Sequence, residues 1–388
     1  MRIRTYVDTD YDVAIAGAGP AGTAVAFHFA RGGYRVVLFD NQRFPRDKVC
    51  GDFLGPAALD EIKQMGLLTH RVFREGNEIR RAALYMDGAK LIEEVVPHLP
   101  GKPDHGMCIP RLLLDDVLVK AAVVSGVRLI EKARVAGYNT ETGCIVVTYQ
   151  DQTRERLTAR LLIGADGSSS LISRILRGAP PPRHDRILAV RAYFEDIDGP
   201  QDKADLYFNS STFPGYCWIF PTGRRSANVG VGTLLETYPP ARDVPLNQVL
   251  TNIIESDPAI SFRLSTAHMK GKIVGSPLAT FNPNLPIVDD RVILIGDAAG
   301  LINPLNGEGI QYALQSARWA AETLAPALRH NELSAHDLTP YAARVHSELR
   351  LDMALCRLII DLICNRTLNP IWLQALRIIT HRAASDKK

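Results

Sequence analysis

Tyr11-Asp-Val-Ala-Ile-Ala-Gly17-Ala-Gly19-Pro20-Ala21-Gly22, followed by Thr23 to Arg31 and then Arg35-Val-Val-Leu-Phe39-Asp40, is the stretch whose reading decides the fold. Its first six residues read as a buried strand, and Pro20 to Arg31 reads as a helix. Between them lies a Gly-x-Gly-x-x-Gly turn. Gly17 permits the tight bend, Gly19 lets backbone approach a pyrophosphate, and Gly22 lets the helix pack close to the strand. The helix N-terminus then turns free N–H groups and a partial positive charge toward phosphate. A second strand ends at Asp40, about 20 residues beyond the glycines, where a carboxylate can accept ribose hydroxyls. The pattern predicts an α/β fold built on a Rossmann-type dinucleotide-binding domain. On these residues alone the dinucleotide is NAD(P) or FAD.

Composition narrows the rest. The chain has 388 residues, 46% hydrophobic and 22% charged, with a net charge of +3. That describes a globular protein of roughly two to three domain units, with no global electrostatic pull toward nucleic acid. Six cysteines without a Cys-x-x-Cys pair or zinc spacing imply neither a disulfide framework nor a metal site, and a reduced, cytoplasmic setting is expected. Val13 to Ala30 carries no Asp, Glu, Lys or Arg. Gly17, Gly19, Pro20 and Gly22 would nevertheless break a spanning helix, and the preceding Asp8, Asp10 and Asp12 suit no signal peptide.

Three further segments decide for FAD through a resemblance. Ile109-Pro-Arg111-Leu-Leu-Leu-Asp115-Asp-Val-Leu118 resembles the helix start of para-hydroxybenzoate-hydroxylase-like flavoproteins. Leu161-Leu-Ile-Gly-Ala-Asp166-Gly167-Ser168 resembles their Asp-Gly motif. Arg291-Val-Ile-Leu-Ile-Gly296-Asp297-Ala-Ala-Gly300 resembles their Gly-Asp motif, and it continues into Asn303-Pro304-Leu-Asn-Gly307-Glu-Gly309-Ile310. The chemistry agrees. Asp297 ends an apolar strand, where it can accept a ribityl hydroxyl, and Gly307 to Ile310 opens a long helix whose N–H groups can face an electron-rich flavin. The resemblance assigns to FAD the residues Gly17, Gly19, Pro20, Ala21, Gly22, Asp40, Arg111, Val135, Asp166, Gly167, Gly296, Asp297, Pro304, Gly307, Gly309 and Ile310.

Two more signatures point to a branch. Phe44-Pro-Arg-Asp-Lys48-Val-Cys50-Gly51-Asp52 resembles the Pro-x-x-Lys-x-Cys-Gly signature of the geranylgeranyl reductase family, which adds Lys48, Cys50 and Gly51 to the flavin site. Tyr216-Cys-Trp218-Ile-Phe220-Pro221, then Gly230-Val-Gly232, is similar to that family's Tyr-x-Trp-x-Phe-Pro…Gly-x-Gly substrate signature. Strand alternation independently puts Tyr216, Trp218 and Phe220 on one face and Cys217 and Ile219 on the other. That face is either sheet core or an aromatic wall suited to a greasy substrate and able to stabilise a carbocation.

The resemblance implies an FAD-dependent oxidoreductase that reduces carbon–carbon double bonds of a prenyl-type substrate, with Cys50, Tyr216 and Trp218 as catalytic candidates. Cys50 is either an acid, a packing residue or a modulator of flavin geometry, and the Tyr216 hydroxyl is a second potential proton donor. NAD(P)H, or a donor protein, is expected as a transient reductant because no second nucleotide fingerprint follows a strand. A flavin monooxygenase acting on a hydrophobic natural product is the main alternative, and a non-catalytic flavin sensor a further one. Halogenases fit less well: Tyr216 and Phe220 stand where that branch has Trp and Ile, and Cys50-Gly51 where it has Gly-Glu, although Lys48 is shared.

The motifs predict a discontinuous FAD-binding domain (1–55, 100–180, 275–330). An antiparallel-sheet substrate domain (56–99, 181–274) and a C-terminal helical segment (331–388) complete it. From Tyr341 to Lys388 eight basic residues face four acidic ones, and Leu351, Leu355, Leu358 and Leu362 recur at helical spacing, as do Met353, Cys356, Ile360 and Ile363. The segment is too short in apolar run to span a bilayer. It is expected either to pack on the body or a second subunit, or to touch a membrane peripherally.

Overall fold

A computed structural model describes residues 9–209, 213–236 and 244–365. Tyr11–Ala16 lies between Val36–Phe39 and Arg154–Gly164, parallel to both, and the row continues through Arg128–Ile130 on one side and Val292–Leu294 on the other. Strands covered on both faces read as unbroken apolar runs, and Val13 to Ala16 and Val36 to Phe39 are all buried. Val288–Asp289 adds an antiparallel edge, and Ala133–Tyr138 and Cys144–Tyr149 extend the far end of Arg154–Gly164. The helix Pro20–Arg31 begins with proline, whose missing N–H costs nothing in a first turn. It packs against the long helix Ile310–His330.

A second sheet of seven strands runs in the order His268–Ala279, Arg186–Glu195, Ser226–Leu234, Tyr216–Gly223, Lys203–Phe208, Arg81–Met86, Ala89–Val95. It is antiparallel as expected except at one pair: Lys203–Phe208 runs parallel to Arg81–Met86. No hairpin can join parallel neighbours, and here the chain between them passes through the first sheet. The helices Leu246–Ser256 and Pro258–Arg263 cover one face of this sheet. Leu250, Ile253 and Ile260 meet Cys217, Ile219, Val229 and Val231 there. The opposite face looks toward the first sheet.

The segment after Gly55 belongs in packing to both halves. Ala58, Leu59, Ile62, Met65 and Phe73 join the first core, whereas residues 81–95 join the second sheet. Ala335–Cys364 forms a 30-residue helix started by a Ser334–Asp337 capping box. Its Leu338, Tyr341, Val345, Leu349 and Met353 close the first core, and Tyr341 donates to the Leu294 carbonyl at 2.9 Å. The Met353 and Ile360 face packs, while Leu351, Leu355, Leu358 and Leu362 stay exposed. Residues 366–388 of the expected C-terminal helical segment lie outside the described residues.

Candidate functional site

Between the two sheets lies a cavity of about 850 Å³. One end is built from the first turn. Gly17, at φ +98°, leads the chain past Ala165: a Cβ there would stand 2.3 Å from the Ala165 carbonyl oxygen. Gly19 is open by contrast, with nothing closer to its would-be Cβ than the guanidinium nitrogens of Arg111 and Arg46 at 3.9 Å. Asp115, fully buried, accepts from Arg111 Nε at 2.6 Å and Arg46 Nη1 at 2.6 Å. Burial works against the charge on Arg111, but Asp115 outweighs it and raises its pKa. Two aimed guanidiniums and the N-terminus of the 20–31 helix therefore converge at Gly19, which is a phosphate-binding arrangement.

Asp40 is held beside this turn. Its carboxylate accepts from the backbone N–H of Ala18 at 2.9 Å and of Gln42 at 2.9 Å. Asp166 and Gly167 line the same cavity. The Asp166 carboxylate accepts from Ser170 Oγ and, at 2.7 Å, from the Leu171 N–H. Asp297 accepts from Ser168 Oγ at 3.3 Å. Pro20, Ala21, Val135, Pro304, Gly307, Gly309 and Ile310 complete this end, where Gly309 caps the 310–330 helix without a side-chain bond.

Two glycines expected at the cofactor do not line the cavity. A Cβ on Gly22 would stand 1.8 Å from the Gly17 carbonyl oxygen, and one on Gly296 2.8 Å from the Ala21 Cβ. Both serve close packing of backbone beneath the site.

The other end is aromatic. Tyr216, Trp218 and Phe220 line the cavity in a row, with ring centroids 6.1 Å apart at each step, and Phe53 stands 5.7 Å from Phe220. Cys217 and Ile219 are buried on the reverse face. Lys48, Cys50 and Gly51 also line the cavity, packed against the row: a Cβ on Gly51 would stand 3.2 Å from the Phe220 ring. Gly232 also lines it. Gly230 does not: a Cβ there would stand 2.2 Å from the Trp218 indole. Its role is to let that ring lie flat on the sheet, not to make room for a ligand directly.

A buried network that sequence reading missed ties the aromatic row to the Cys50-Gly51 loop. Trp218 Nε1 donates to Asn228 Oδ1 at 3.0 Å, and Asn228 Nδ2 donates to the Cys50 carbonyl at 2.7 Å and to Asp52 Oδ2 at 2.8 Å. Tyr193 donates its phenol proton to the same Asp52 oxygen at 2.7 Å. Arg191, 2% exposed, donates to Asp47 at 2.6 Å and to the Lys48 carbonyl at 3.3 Å. Burial lifts the Asp52 carboxyl from 3.8 to about 6, with Tyr193 and Asn228 resisting the shift. Burial also raises the Cys50 thiol, against the pull of Arg111. The Tyr216 hydroxyl is committed to the Asn306 carbonyl at 2.5 Å, and burial raises its pKa.

Some of this was legible. Arg46, Asp47 and Asp52 sit inside the quoted Phe44 to Asp52 segment. Arg191 and Asn228 each interrupt an apolar strand with a polar side chain, which is a signal of an inward-facing partner.

The residues fit an FAD: an open phosphate cradle at Gly19, a fixed acceptor at Asp40, and a cavity long enough to continue past Asp297 to Cys50. Residues 10–346 match the family described as FAD binding domain, and the chain belongs to that family. It is an FAD-dependent oxidoreductase, similar to geranylgeranyl reductases. It is 36% identical over 330 residues to a menaquinone reductase of Mycobacterium tuberculosis, covering 82% of this chain and 77% of that one. It is 29% identical to digeranylgeranylglycerophospholipid reductase 2 of Methanopyrus kandleri, covering 87% and 83%. Among solved structures, a geranylgeranyl bacteriochlorophyll reductase-like protein of Thermoplasma acidophilum superposes with a TM-score of 0.80 at 24% identity, over 92% of this chain and 88% of that one. A flavin-dependent brominase shares the fold with a TM-score of 0.75 at 18% identity, over 95% and 93%.

Proposed function

We propose that this oxidoreductase reduces a carbon–carbon double bond in a hydrophobic, isoprenoid-bearing substrate. The observation that carries the reading is the row of Tyr216, Trp218 and Phe220 lining the cavity beside the Cys50-Gly51 loop. Menaquinone and digeranylgeranylglycerophospholipid, named in the relatives' activities, are both hydrophobic molecules with isoprenoid chains. Bound, reduced FAD supplies a hydride.

The chain's own residues do the rest. The aromatic row binds the isoprenoid by apolar contact, at roughly 25 cal/mol per Å² buried, and excludes water from the double bond. An isolated alkene accepts hydride only if it is also protonated, and the ring faces stabilise the positive charge that builds up as this happens. Asn228 keeps the Trp218 indole in its plane. Cys50, a neutral thiol, shapes the loop beside the row. NAD(P)H or a donor protein visits transiently as reductant.

Among the described residues no helix is long and apolar enough to cross a membrane. The exposed Leu351, Leu355, Leu358 and Leu362 lie on the helix whose Ile360 reaches the cavity, which supports peripheral contact with a lipid surface. Flotation with anionic vesicles should show binding that weakens with salt.

The test of the reaction is anaerobic. Photoreduced protein mixed with a geranylgeranyl glycerolipid should yield a product two hydrogens heavier by mass spectrometry. A product that appears only with dioxygen and gains an oxygen atom would make the protein a monooxygenase instead.

A further inference from the structure

Five acidic side chains line the cavity: Asp40, Asp47, Asp166, Asp297 and Glu308. Four are engaged. Asp40 accepts from two backbone N–H groups, Asp47 from Arg191, Asp166 from Ser170 and Leu171, and Asp297 from Ser168. Among the described residues the Glu308 carboxyl has no hydrogen bond and no ion pair.

Its backbone is nevertheless fixed. The Glu308 N–H donates to Asn306 Oδ1 at 2.9 Å, and its carbonyl accepts from the Asn303 N–H at 2.9 Å. The neighbouring Gly307 and Gly309 line the flavin end, while the side chain reaches the aromatic end. Glu308 Oε1 lies 3.4 Å from where a Cβ of Gly55 would stand, and the Phe53 ring edge 3.8 Å from that same point. A Cβ on Gly307 would face the Tyr216 hydroxyl at 3.8 Å. The carboxyl thus stands where the flavin turn meets the aromatic row.

We propose that Glu308 is the acid that protonates the substrate double bond. The inference rests on the reductase reading above and adds the residue that reading lacks. One alkene carbon gains the Glu308 proton, and the other gains a hydride from the reduced flavin, which is oxidised by two electrons. Glu308 is left as a carboxylate and regains its proton from solvent. Cys50 and Tyr216 serve less well: the Cys50 thiol is raised by burial, and the Tyr216 proton is committed to a backbone carbonyl. Burial raises the Glu308 carboxyl too, which keeps a carboxylic acid protonated nearer neutrality, where a general acid is useful. The titratable groups facing it are Tyr216 from the sheet and Tyr312 from the 310–330 helix that follows it, both raised by burial.

The experiment compares wild type with Glu308→Gln, both photoreduced, mixed with the geranylgeranyl glycerolipid under anaerobic conditions. With equal FAD content and lipid affinity, Glu308→Gln should slow flavin reoxidation about 100-fold or more, the usual range of general-acid catalysis. A rate within threefold of wild type overturns the proposal and leaves the reductase reading intact. A wild type that reduces no double bond overturns that reading, and this role with it. A second readout needs no turnover: pH-difference infrared spectra of the oxidised holoprotein should show a protonated carboxylic acid band that Glu308→Gln lacks, and a wild type without that band overturns the proposal. Should Glu308→Gln not fold, Glu308→Ala with added acetic acid decides, since rescue supports an acid role and its absence overturns it.

Discussion

At the dinucleotide end of the cavity the acidic side chains are held by partners; the aromatic end is walled by rings, and among the described residues the Glu308 carboxyl there has no hydrogen bond and no ion pair. Asp40, Asp115, Asp166 and Asp297 are held by hydrogen bonds or guanidiniums. Tyr216, Trp218, Phe220 and Phe53 present ring faces and edges. The difference teaches what each end is for. A rigid, satisfied frame suits a cofactor that stays bound. An apolar wall beside one unpartnered carboxyl suits a greasy molecule that comes, reacts and leaves.

The largest effect should separate two glycines three residues apart. Gly22→Val forces side-chain carbon onto the Gly17 carbonyl, 1.8 Å from its would-be Cβ, so the fold itself should fail, by more than about 3 kcal/mol. At Gly19 the would-be Cβ has only the flexible Arg111 and Arg46 side-chain ends near it, at 3.9 Å. Gly19→Val should melt like wild-type apoprotein yet purify colourless. Equal melting temperatures for the two apoproteins would erase the distinction between packing and cradle glycines.

Asp52 sits at the junction of the two ends, and its titration is a test of the network. Its folded pKa, about 6, exceeds the ordinary 3.8. The folded state therefore holds the proton more tightly, so stability from this group is full below about pH 4 and is lost as pH rises to about 6. The loss is about 2–3 kcal/mol by linkage. Denaturant melts at pH 4.5 and pH 7 should show Asp52→Asn losing this slope, whatever its absolute stability. An unchanged slope would mean that another group carries it.

Trp218→Ala should cost about 2 kcal/mol of lipid binding, or roughly 30-fold in affinity, while FAD absorbance is kept. Equal lipid affinity would return the aromatic row to plain sheet core. The smallest change should be Tyr216→Phe. It removes one hydrogen bond, worth about 1 kcal/mol, and turnover should stay within about fivefold. A collapse of turnover with binding intact would make Tyr216, not Glu308, the proton donor.

The Gly17-to-Gly22 turn, the strand before it and Asp40 were readable in the chain because their demands are local. Positive φ, a missing Cβ and a helix start act within a few residues, and each restricts residue type where it acts. Strand alternation likewise placed Trp218 opposite Cys217 without any structure. What tertiary structure alone decided is which residues meet across the fold. Asn228 reaches Asp52 over 176 residues of chain, and Gly230 yields its space to an indole on the next strand. That the Glu308 carboxyl has no partner among the described residues is equally non-local, since a missing partner is a property of everything folded around a side chain and leaves no mark in its own sequence. The C-terminal helix carries apolar residues on two faces, and only docking onto the first core settled that Met353 and Ile360 turn inward and Leu351 outward. Burial is decided by the neighbour that arrives, and periodicity alone does not name it.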